Sequence, residues 1–254
     1  MPGGSPFSKQ ALTAGGPDRA PLYKVVKRSL MQSLAAGEWK PGQAIPPEHD
    51  LAARFDVAVG TLRKAIDELT AENILVRQQG RGTFIAAHNQ DRLMFHFFHI
   101  VRRDGGKEYP TVEMLSFAKG RADATEAAKL GLPRAAAIFR IVNRLSIAGE
   151  AAMIDHIAIP QRLFARLTAR RFQDRPNTIY HLYQTAFAVT VVRSSERLAA
   201  VAADATTARR MGVAPGTPLL EIRRVALTYN DAPVEYRRSL VHTARFEYSS
   251  ELGS

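Results

Sequence analysis

The 254-residue sequence contains no cysteine, so neither a disulfide framework nor a thiolate metal site is available to it. It also lacks any apolar run near the roughly 20 residues that are needed to cross a bilayer. Its first residues do not show the charged and then apolar order of a signal peptide. We therefore expect a soluble cytoplasmic protein with no membrane association.

Catalytic and metal-binding patterns are also missing. Nothing resembles a Ser/His/Asp nucleophile arrangement or a phosphate-binding glycine loop. His96 and His99 lie three residues apart in a predicted strand, which places them on opposite faces, and no acidic residue follows at metal-ligand spacing. The sequence predicts no catalytic residue, no metal and no cofactor.

Acidic residues are scarce, with 24 Asp and Glu against 35 Lys and Arg, for a net charge of +11. Residues 21–87 hold nine cations and seven acids, a surplus of two, whereas residues 88–254 hold 24 and 16, a surplus of eight. Such an excess suggests a nucleic-acid partner. Its distribution leaves open a long-range attraction to DNA, a cationic site for an anionic ligand, or a solvated arginine-rich surface.

The strongest structural pattern is PEHDLAARFDVAVGTLRKAIDELTAENILVRQQGRGTFI, residues 47–85. It predicts a helix from Pro47 to Phe55, a turn at Asp56 and Val57, and a second helix from Val59 to Glu72. The second helix buries one stripe, formed by Leu62, Ala65, Ile66 and Leu69. A hairpin follows, in which Ile74, Val76, Thr83 and Ile85 alternate around a glycine-rich tip. This order is that of a winged helix-turn-helix, although helix pairs with apolar stripes occur in many folds.

The segments PLYKVVKRSLMQSL, GEWKPGQAIPPEHDLAARF and TLRKAIDELTAENILVRQQGRGTFI resemble the DNA-binding domain of the GntR family of bacterial transcription regulators over residues 21–86. Family members usually carry arginine where this chain has His49 and Val59, so an operator of the usual family type is not implied. The resemblance implies contacts with double-stranded DNA from Lys24, Lys27, His49, Thr61, Arg63, Lys64, Gln79, Gly80, Arg81, Gly82 and Thr83.

Outside this domain, residues 1–20 predict a disordered leader and residues 87–94 a linker. Residues 95–254 predict an α+β domain on a mostly antiparallel sheet. Its predicted strands are FHFFHIVR, FRIVNRLSI, AAMIDHIAIP, FAVTVVRSSERLAAV, LLEIRRVALTY and APVEYRRSLVHT. Its predicted helices are DATEAAKLG, PQRLFARLTA, TIYHLYQTA and DATTARRMG, with Gly131 and Gly212 at expected helix ends.

This second half resembles the UTRA domain of the HutC-type subfamily, whose fold is similar to that of chorismate lyase. The residues that carry the resemblance are NRLSIAGEAAMIDHIAIP, NTIYHLYQTAFAVTVVRSSERLAA and the repeated phrase LGLPRAAAIFRI and MGVAPGTPLLEIRR. It implies a ligand-responsive regulator, most often a repressor, that acts as a homodimer on an operator and senses a small anionic effector. The implied effector-binding residues are Arg144, Ser146, Asp155, Asn177, Thr178 and Glu235. Many relatives carry a second arginine at Ser146, so a smaller or less charged anion than a phosphosugar is favoured.

Ordinary structural roles compete with each of these assignments. Arg144 can be a surface residue, Asp155 and Glu235 can form structural ion pairs, and Asn177 and Thr178 can simply cap a helix. Two other functions also remain open: an enzyme of the chorismate-lyase-like fold that acts on a small carboxylate, and a DNA-binding protein that responds to no ligand.

Overall fold

A computed structural model describes residues 20–87, 97–104, 108–176 and 178–250. The chain divides into two compact units, Met1–Ala87 and His88–Ser254. The predicted leader lies outside the described residues except for residue 20. The predicted linker lies outside them except for residue 87. No helix among the described residues is long and apolar enough to span a membrane.

The N-terminal unit consists of three helices followed by a two-stranded antiparallel hairpin. Its elements are α1 (Leu22–Ala35), α2 (Glu48–Arg54), α3 (Val59–Ala71), β1 (Leu75–Gln78) and β2 (Gly82–Ile85). All four residues of the predicted α3 stripe are fully buried, with 0% exposure. The turn between α2 and α3 contains Asp56 in a left-handed conformation with φ +52°, which a short polar side chain tolerates. The predicted winged helix-turn-helix architecture is confirmed.

Two local details of this unit differ from the predictions. Pro47 precedes α2 as its N-cap residue and is not its first helical residue. In the hairpin, Leu75 and not Val76 faces the core, because Ile74 and Leu75 are both buried whereas Val76 is 41% exposed. The burial of two consecutive residues breaks the strict alternation that was assumed for β1.

The C-terminal unit is built on a six-stranded, fully antiparallel sheet with the order β4-β5-β6-β9-β8-β7. Its sheet strands are β4 (Thr111–Arg121), β5 (Ala137–Ile147), β6 (Glu150–Pro160), β7 (Arg193–Ala202), β8 (Pro218–Leu227) and β9 (Pro233–His242). A separate pair is formed by β3 (Ile100–Arg102) and β10 (Phe246–Tyr248). The helices are α4 (Ala124–Leu130), α5 (Ala169–Gln173), α6 (Ile179–Phe187) and α7 (Ala205–Met211), with a 3₁₀ turn at Tyr229–Asp231. The predicted α+β class and antiparallel sheet are confirmed.

The unit contains a repeated strand–helix–strand arrangement. Asp123 and Asp204 each accept a hydrogen bond at the start of a helix, and Gly131 and Gly212 end those helices with positive φ. These two helices, α4 and α7, pack on one face of the sheet. The opposite face is covered by α5 and α6, whose aromatic side chains join one large core cluster. The sheet is thus the middle layer of three.

Four segments differ from the sequence predictions. The strand that was expected from residue 95 is described only over Ile100–Arg102. The expected helix PQRLFARLTA is instead a series of tight turns, in which Leu163, Phe164 and Leu167 each donate to the carbonyl three residues earlier. The strand expected from Phe187 begins only at Arg193, because Phe187 ends α6. Strand β4 was not predicted, since as an edge strand it lacks a continuous buried face.

Candidate functional site

The exposed face of α3 carries three of the eleven residues that are predicted to contact DNA. Arg63 and Lys64 are exposed and Thr61 is half-buried, on the side of α3 away from its core stripe. The Arg63 side chain is 59% exposed, and its Nε donates to Glu48 Oε2 at 2.9 Å. The Lys64 ammonium lies 4.3 Å from the centroid of the Tyr23 ring. Both cations therefore remain at the surface, each held by a neighbouring helix.

A small charge network links this face to the hairpin. Arg77 on β1 reaches Glu48 at 3.4 Å and Asp67 at 2.6 Å. Glu48 thus accepts from two arginines at once. A phosphate or a base that approaches this face must compete with Glu48 for both of them.

The other predicted DNA contacts in the helices differ from one another in exposure. Lys24 is exposed. His49 is 76% exposed at its side chain, with its Nε2 2.7 Å from Asp50. Lys27 is instead largely covered and bonded to Glu68 at 2.9 Å and Glu72 at 2.5 Å. Burial acts to lower the pKa of Lys27, but the two carboxylates outweigh it and raise that pKa. Lys27 therefore joins α1 to α3, and it is the predicted contact least available to phosphate.

The hairpin tip is a three-residue loop closed by a hydrogen bond from the Arg81 amide to the Gln78 carbonyl. Gly80 and Gly82 have φ of +70° and +109°, conformations that side-chain-bearing residues rarely adopt. Arg81 is exposed beside the Phe84 ring, and Gln79 is exposed as well. Thr83 lies lower, in β2, where its carbonyl accepts from Ile45. The tip presents a cation on a tightly turned backbone.

The C-terminal unit encloses a cavity of about 140 Å³ on the α6 side of its sheet. Its floor consists of neighbouring strands in register: Asn143 on β5 is opposite Asp155 on β6, which is opposite Ser239 on β9. Arg237 and Arg224 form an adjacent pair on β9 and β8. Polar groups of four central strands therefore converge on one space.

A buried ion cluster fixes the middle of this floor. Arg237 binds both oxygens of Glu235, at 2.9 and 3.1 Å, and donates to Asp155 Oδ2 at 3.1 Å. Ser239 donates to the other oxygen of Asp155 at 2.5 Å. Glu235 and Asp155 are 0% and 1% exposed, and Arg237 is 9% exposed. Burial opposes the charged guanidinium, but the two carboxylates outweigh it and raise the pKa of Arg237, which keeps it cationic.

Two tyrosines of α6 complete the shell around Glu235. Tyr180 and Tyr183 donate to its oxygens at 3.2 and 2.8 Å. Burial and the negative charge of Glu235 raise the pKa of Tyr180 to about 12, and the same causes raise that of Tyr183. Both phenols therefore stay protonated and act as donors. Glu235 is fully occupied by protein groups beneath the cavity and does not line it.

A second buried ion pair closes one side of the cavity. Arg224 on β8 binds Glu196 on β7 and donates to the carbonyl of Phe97. Tyr248 on β10 donates to the other Glu196 oxygen at 2.6 Å. Burial acts to raise the pKa of Glu196, but Arg224 and Tyr248 outweigh it, and the pKa is lowered. Strands β7, β8 and β10 are therefore joined at the cavity wall.

Two polar side chains at the cavity have hydrogen-bonding capacity that the described part of the chain does not satisfy. They are Arg175, through its Nε, and Asn143, through its Oδ1. Asn143 is only 3% exposed. Buried polar atoms are normally paired, so these two atoms stand out among the residues that line the cavity.

The structure brings only part of the predicted effector set together. Asp155 and Thr178 line the cavity, with Thr178 also capping α6 through a bond from the His181 amide at 3.1 Å. Asn177 lies outside the described residues. Arg144 and Ser146 do not line the cavity.

Arg144 lies on the opposite face of the sheet. It binds Glu113 at 2.5 Å and reaches the carbonyl of Arg210 on α7 at 3.4 Å. Strand side chains alternate between faces, so an assignment that is offset by one residue selects the wrong face. The cavity-facing positions of β5 are Asn143 and Leu145.

Sequence reasoning missed several polar residues of the site, because their burial and their cavity contacts come from partners distant in sequence. Strand alternation from Glu235 does place Arg237, two positions along, on the same face. The missed residues include Asn143, Arg175, Arg224, Arg237 and Ser239.

Comparison with known proteins gives two family matches. The model for bacterial regulatory proteins of the gntR family matches residues 22–85, and the UTRA domain model matches residues 105–247. The chain is 27% identical to a probable fructoselysine utilization operon transcriptional repressor of Escherichia coli K12, over 84% of this chain and 87% of that protein. It is 27% identical to the histidine utilization repressor of Klebsiella aerogenes, over 92% and 96%.

A solved structure resembles the C-terminal unit. The ligand-binding domain of a GntR-family transcriptional regulator from Bordetella bronchiseptica is 31% identical, with a TM-score of 0.60. The match covers 63% of this chain and 99% of that domain.

Proposed function

The chain belongs to the gntR family of bacterial regulatory proteins and carries a UTRA domain, so we propose that it is a homodimeric repressor whose operator affinity is set by a small anionic effector. At the level of the family it is a ligand-responsive, DNA-binding transcription regulator and not an enzyme. Repression is favoured because the two relatives named above are a probable operon repressor and a histidine utilization repressor.

The exposed face of α3 supports major-groove recognition. A helix of this kind presents its first turns to base edges while the preceding helix crosses the backbone. Thr61 and Arg63 lie in those turns, and a guanidinium pairs well with the N7 and O6 acceptors of guanine. Arg81 at the hairpin tip is placed to follow the phosphates or to enter the minor groove.

Val59 adds an apolar element to this reading surface. It is the first residue of α3 and is 40% exposed, although the side chain is large and hydrophobic. An apolar side chain at this position suits the C5 methyl group of thymine. We therefore expect an operator in which one base pair per half-site requires that methyl group.

The cavity of the C-terminal unit supports effector binding. It is concave, lined by apolar side chains and a few convergent polar groups, as ligand sites usually are. Its floor arginines are committed to carboxylates, whereas Arg175 has no carboxylate partner among the described residues. This cation without a carboxylate partner of its own is the observation that carries the assignment of an anionic effector.

We expect a homodimer because of the way in which helix-turn-helix domains recognise DNA. Two copies of one helix-turn-helix read a pseudo-palindromic site whose half-site spacing mirrors the two-fold symmetry of the protein. The effector alters DNA affinity only to the extent that it binds one arrangement of the two DNA-binding domains better than the other.

The direct test is fluorescence anisotropy with labelled duplex from the promoter beside the protein's own gene. We expect tighter binding than to a shuffled duplex of equal length and composition, a stoichiometry of two chains per site, and release by a small carboxylate. Equal affinity for both duplexes, with and without extracted cell metabolites, would refute the regulatory role. A monomer by light scattering at micromolar concentration, together with one chain per site, would refute the dimer.

A further inference from the structure

We propose that the cavity selects a carboxylic acid with an apolar body and a neighbouring hydroxyl or ammonium group, and that it discriminates against phosphorylated sugars. This inference rests on the proposed function, because it assigns a chemical class to the effector of the same site.

The acid group is assigned to Arg175, in the segment between α5 and α6. Its guanidinium lies 4.4 Å from the Phe172 ring, and one terminal nitrogen donates to the Phe172 carbonyl. That bond leaves the Nε and Nη2 edge, which fits two parallel bonds to a carboxylate. Burial and the positive charge of Arg237 lower the pKa of Arg175. A bound carboxylate relieves both effects.

The three arginines and three carboxylates around the cavity balance in charge, and Arg175 is the one guanidinium that has no carboxylate partner among the described residues. Arg237 is held by Glu235 and Asp155, and Arg224 is held by Glu196. The cavity-facing positions of β5, Asn143 and Leu145, are both neutral. A phosphate monoester carries a charge of about −1.5 to −2 at neutral pH, more than one guanidinium matches. Burying the excess charge without a partner is costly.

The neighbouring donor group is assigned to the sheet floor. Asn143 lines the cavity, and its Oδ1 is buried without a hydrogen-bond partner among the described residues. Its neighbour across the strand pair is Asp155. An ionised carboxylate accepts about four hydrogen bonds, and Asp155 receives one at each oxygen. A ligand hydroxyl or ammonium group satisfies Asn143 and adds a bond to Asp155.

The rest of the cavity surface is hydrocarbon. Leu145 and Met153 lie side by side on β5 and β6, and Ile222 lies on β8. Tyr109 and Val112, which also line the cavity, are 49% and 43% exposed and mark its open side. This surface accommodates an alkyl or aromatic group better than a ring of hydroxyls.

Matched ligands test the assignment by isothermal titration calorimetry on the full chain. One set is 3-phenylpropanoate, phenyllactate and phenylalanine, which share a body and a carboxylate and differ only in the group beside it. A second set is 4-methylpentanoate, 2-hydroxy-4-methylpentanoate and leucine. In at least one set we expect a donor-bearing member to bind at least about tenfold more tightly than the plain acid. The hydroxy and amino members show which donor is preferred.

Variants identify the residues responsible. Arg175→Met should weaken binding of the best acid at least about tenfold, and Arg170→Met, at a 92% exposed site, should not. Asn143→Leu should remove the preference for the donor-bearing acid, with Asn143→Ala as a smaller alternative if the first variant misfolds. Arg144→Met, one position along on the other face, should leave affinity unchanged.

Several results would overturn the proposal: tighter binding of glucose 6-phosphate than of any acid, no binding of any acid in the two sets, unchanged affinity in Arg175→Met, or a donor preference that survives in both Asn143 variants. The anisotropy assay tests the regulatory role separately. Acids that bind as expected while no compound changes operator affinity would refute only the regulatory role. Release of the operator by a sugar phosphate would refute only the ligand class.

Discussion

Replacing Arg237 by methionine tests whether the buried ion cluster holds the C-terminal unit together. The change removes three charge-assisted hydrogen bonds, two to Glu235 and one to Asp155. It leaves two carboxylates that are 0% and 1% exposed without their cation. Breaking a buried ion pair by removing one partner typically costs about 3–5 kcal/mol of unfolding free energy.

For a unit of this size, each kcal/mol of lost unfolding free energy lowers the midpoint of thermal unfolding by roughly 2–4 °C, so the whole loss lowers it by about 6–20 °C. Urea and thermal unfolding of the full chain, without ligand, measure it. Far-UV circular dichroism reports the sheet. Trp39, the single tryptophan, lies in the N-terminal unit, so its fluorescence is an internal control.

The deficit should come from the two carboxylates that stay buried without their cation, because an uncompensated buried charge is strongly destabilising. Adding Asp155→Asn and Glu235→Gln removes both charges and should therefore recover much of the loss.

A loss below about 1 kcal/mol at pH 8 would refute this reasoning, because a buried charge pair of this geometry is expected to cost about three times as much to break. So would a deficit that remains undiminished when Asp155→Asn and Glu235→Gln are added. Either result would show that water reaches the carboxylates, and that the cluster is not a closed structural unit.

Three further predictions concern both units. Arg63→Ala should weaken specific operator binding by about 1–3 kcal/mol in anisotropy titrations, whereas Lys40→Ala, at an exposed site outside α3, should not. Equal affinities of the Arg63→Ala variant and the wild type would mean that α3 is not the reading helix. Arg81→Ala should weaken binding to all sequences alike and reduce the slope of log affinity against log salt concentration by about 1. An unchanged slope would show that the hairpin tip does not contact phosphates. His156 has a pKa lowered from 6.5 by burial and by Arg238 and Arg210, so it contributes stability at neutral pH that is lost as pH falls below about 6.5. In His156→Gln that part of the acid-induced loss should vanish in urea titrations between pH 7.5 and 5.5, and an unchanged pH profile would contradict the assignment.

Part of the fold follows from local sequence because its causes are local. The apolar stripe of α3 repeats with the helix period, and the stripe is buried as the period requires. Asp123 and Gly131 mark the two ends of α4 through a capping box and a left-handed residue. Such signals involve residues at most a few positions apart, so they are readable without a structure.

Other elements depended on their surroundings. PQRLFARLTA has a helical pattern, yet it forms consecutive turns that place Phe164 and Leu167 in the aromatic core. Edge strand β4 shows no clean alternation, because only one neighbour and part of one face constrain it. Tertiary packing overrode local preference in both cases.

By itself, the sequence determined the elements of the N-terminal unit, the two-unit organisation and the family, since these rest on periodicity, caps and motifs that adjacent residues define. The tertiary structure alone decided which side chains meet in the cavity. Asn143 and Arg175 come together from different elements, and Arg237 reaches Asp155 across 82 positions. The resemblance pointed to Arg144, whereas the structure has its neighbour Asn143 at the cavity. Side chains on a strand alternate between two faces, and only the packed sheet shows which face borders the cavity.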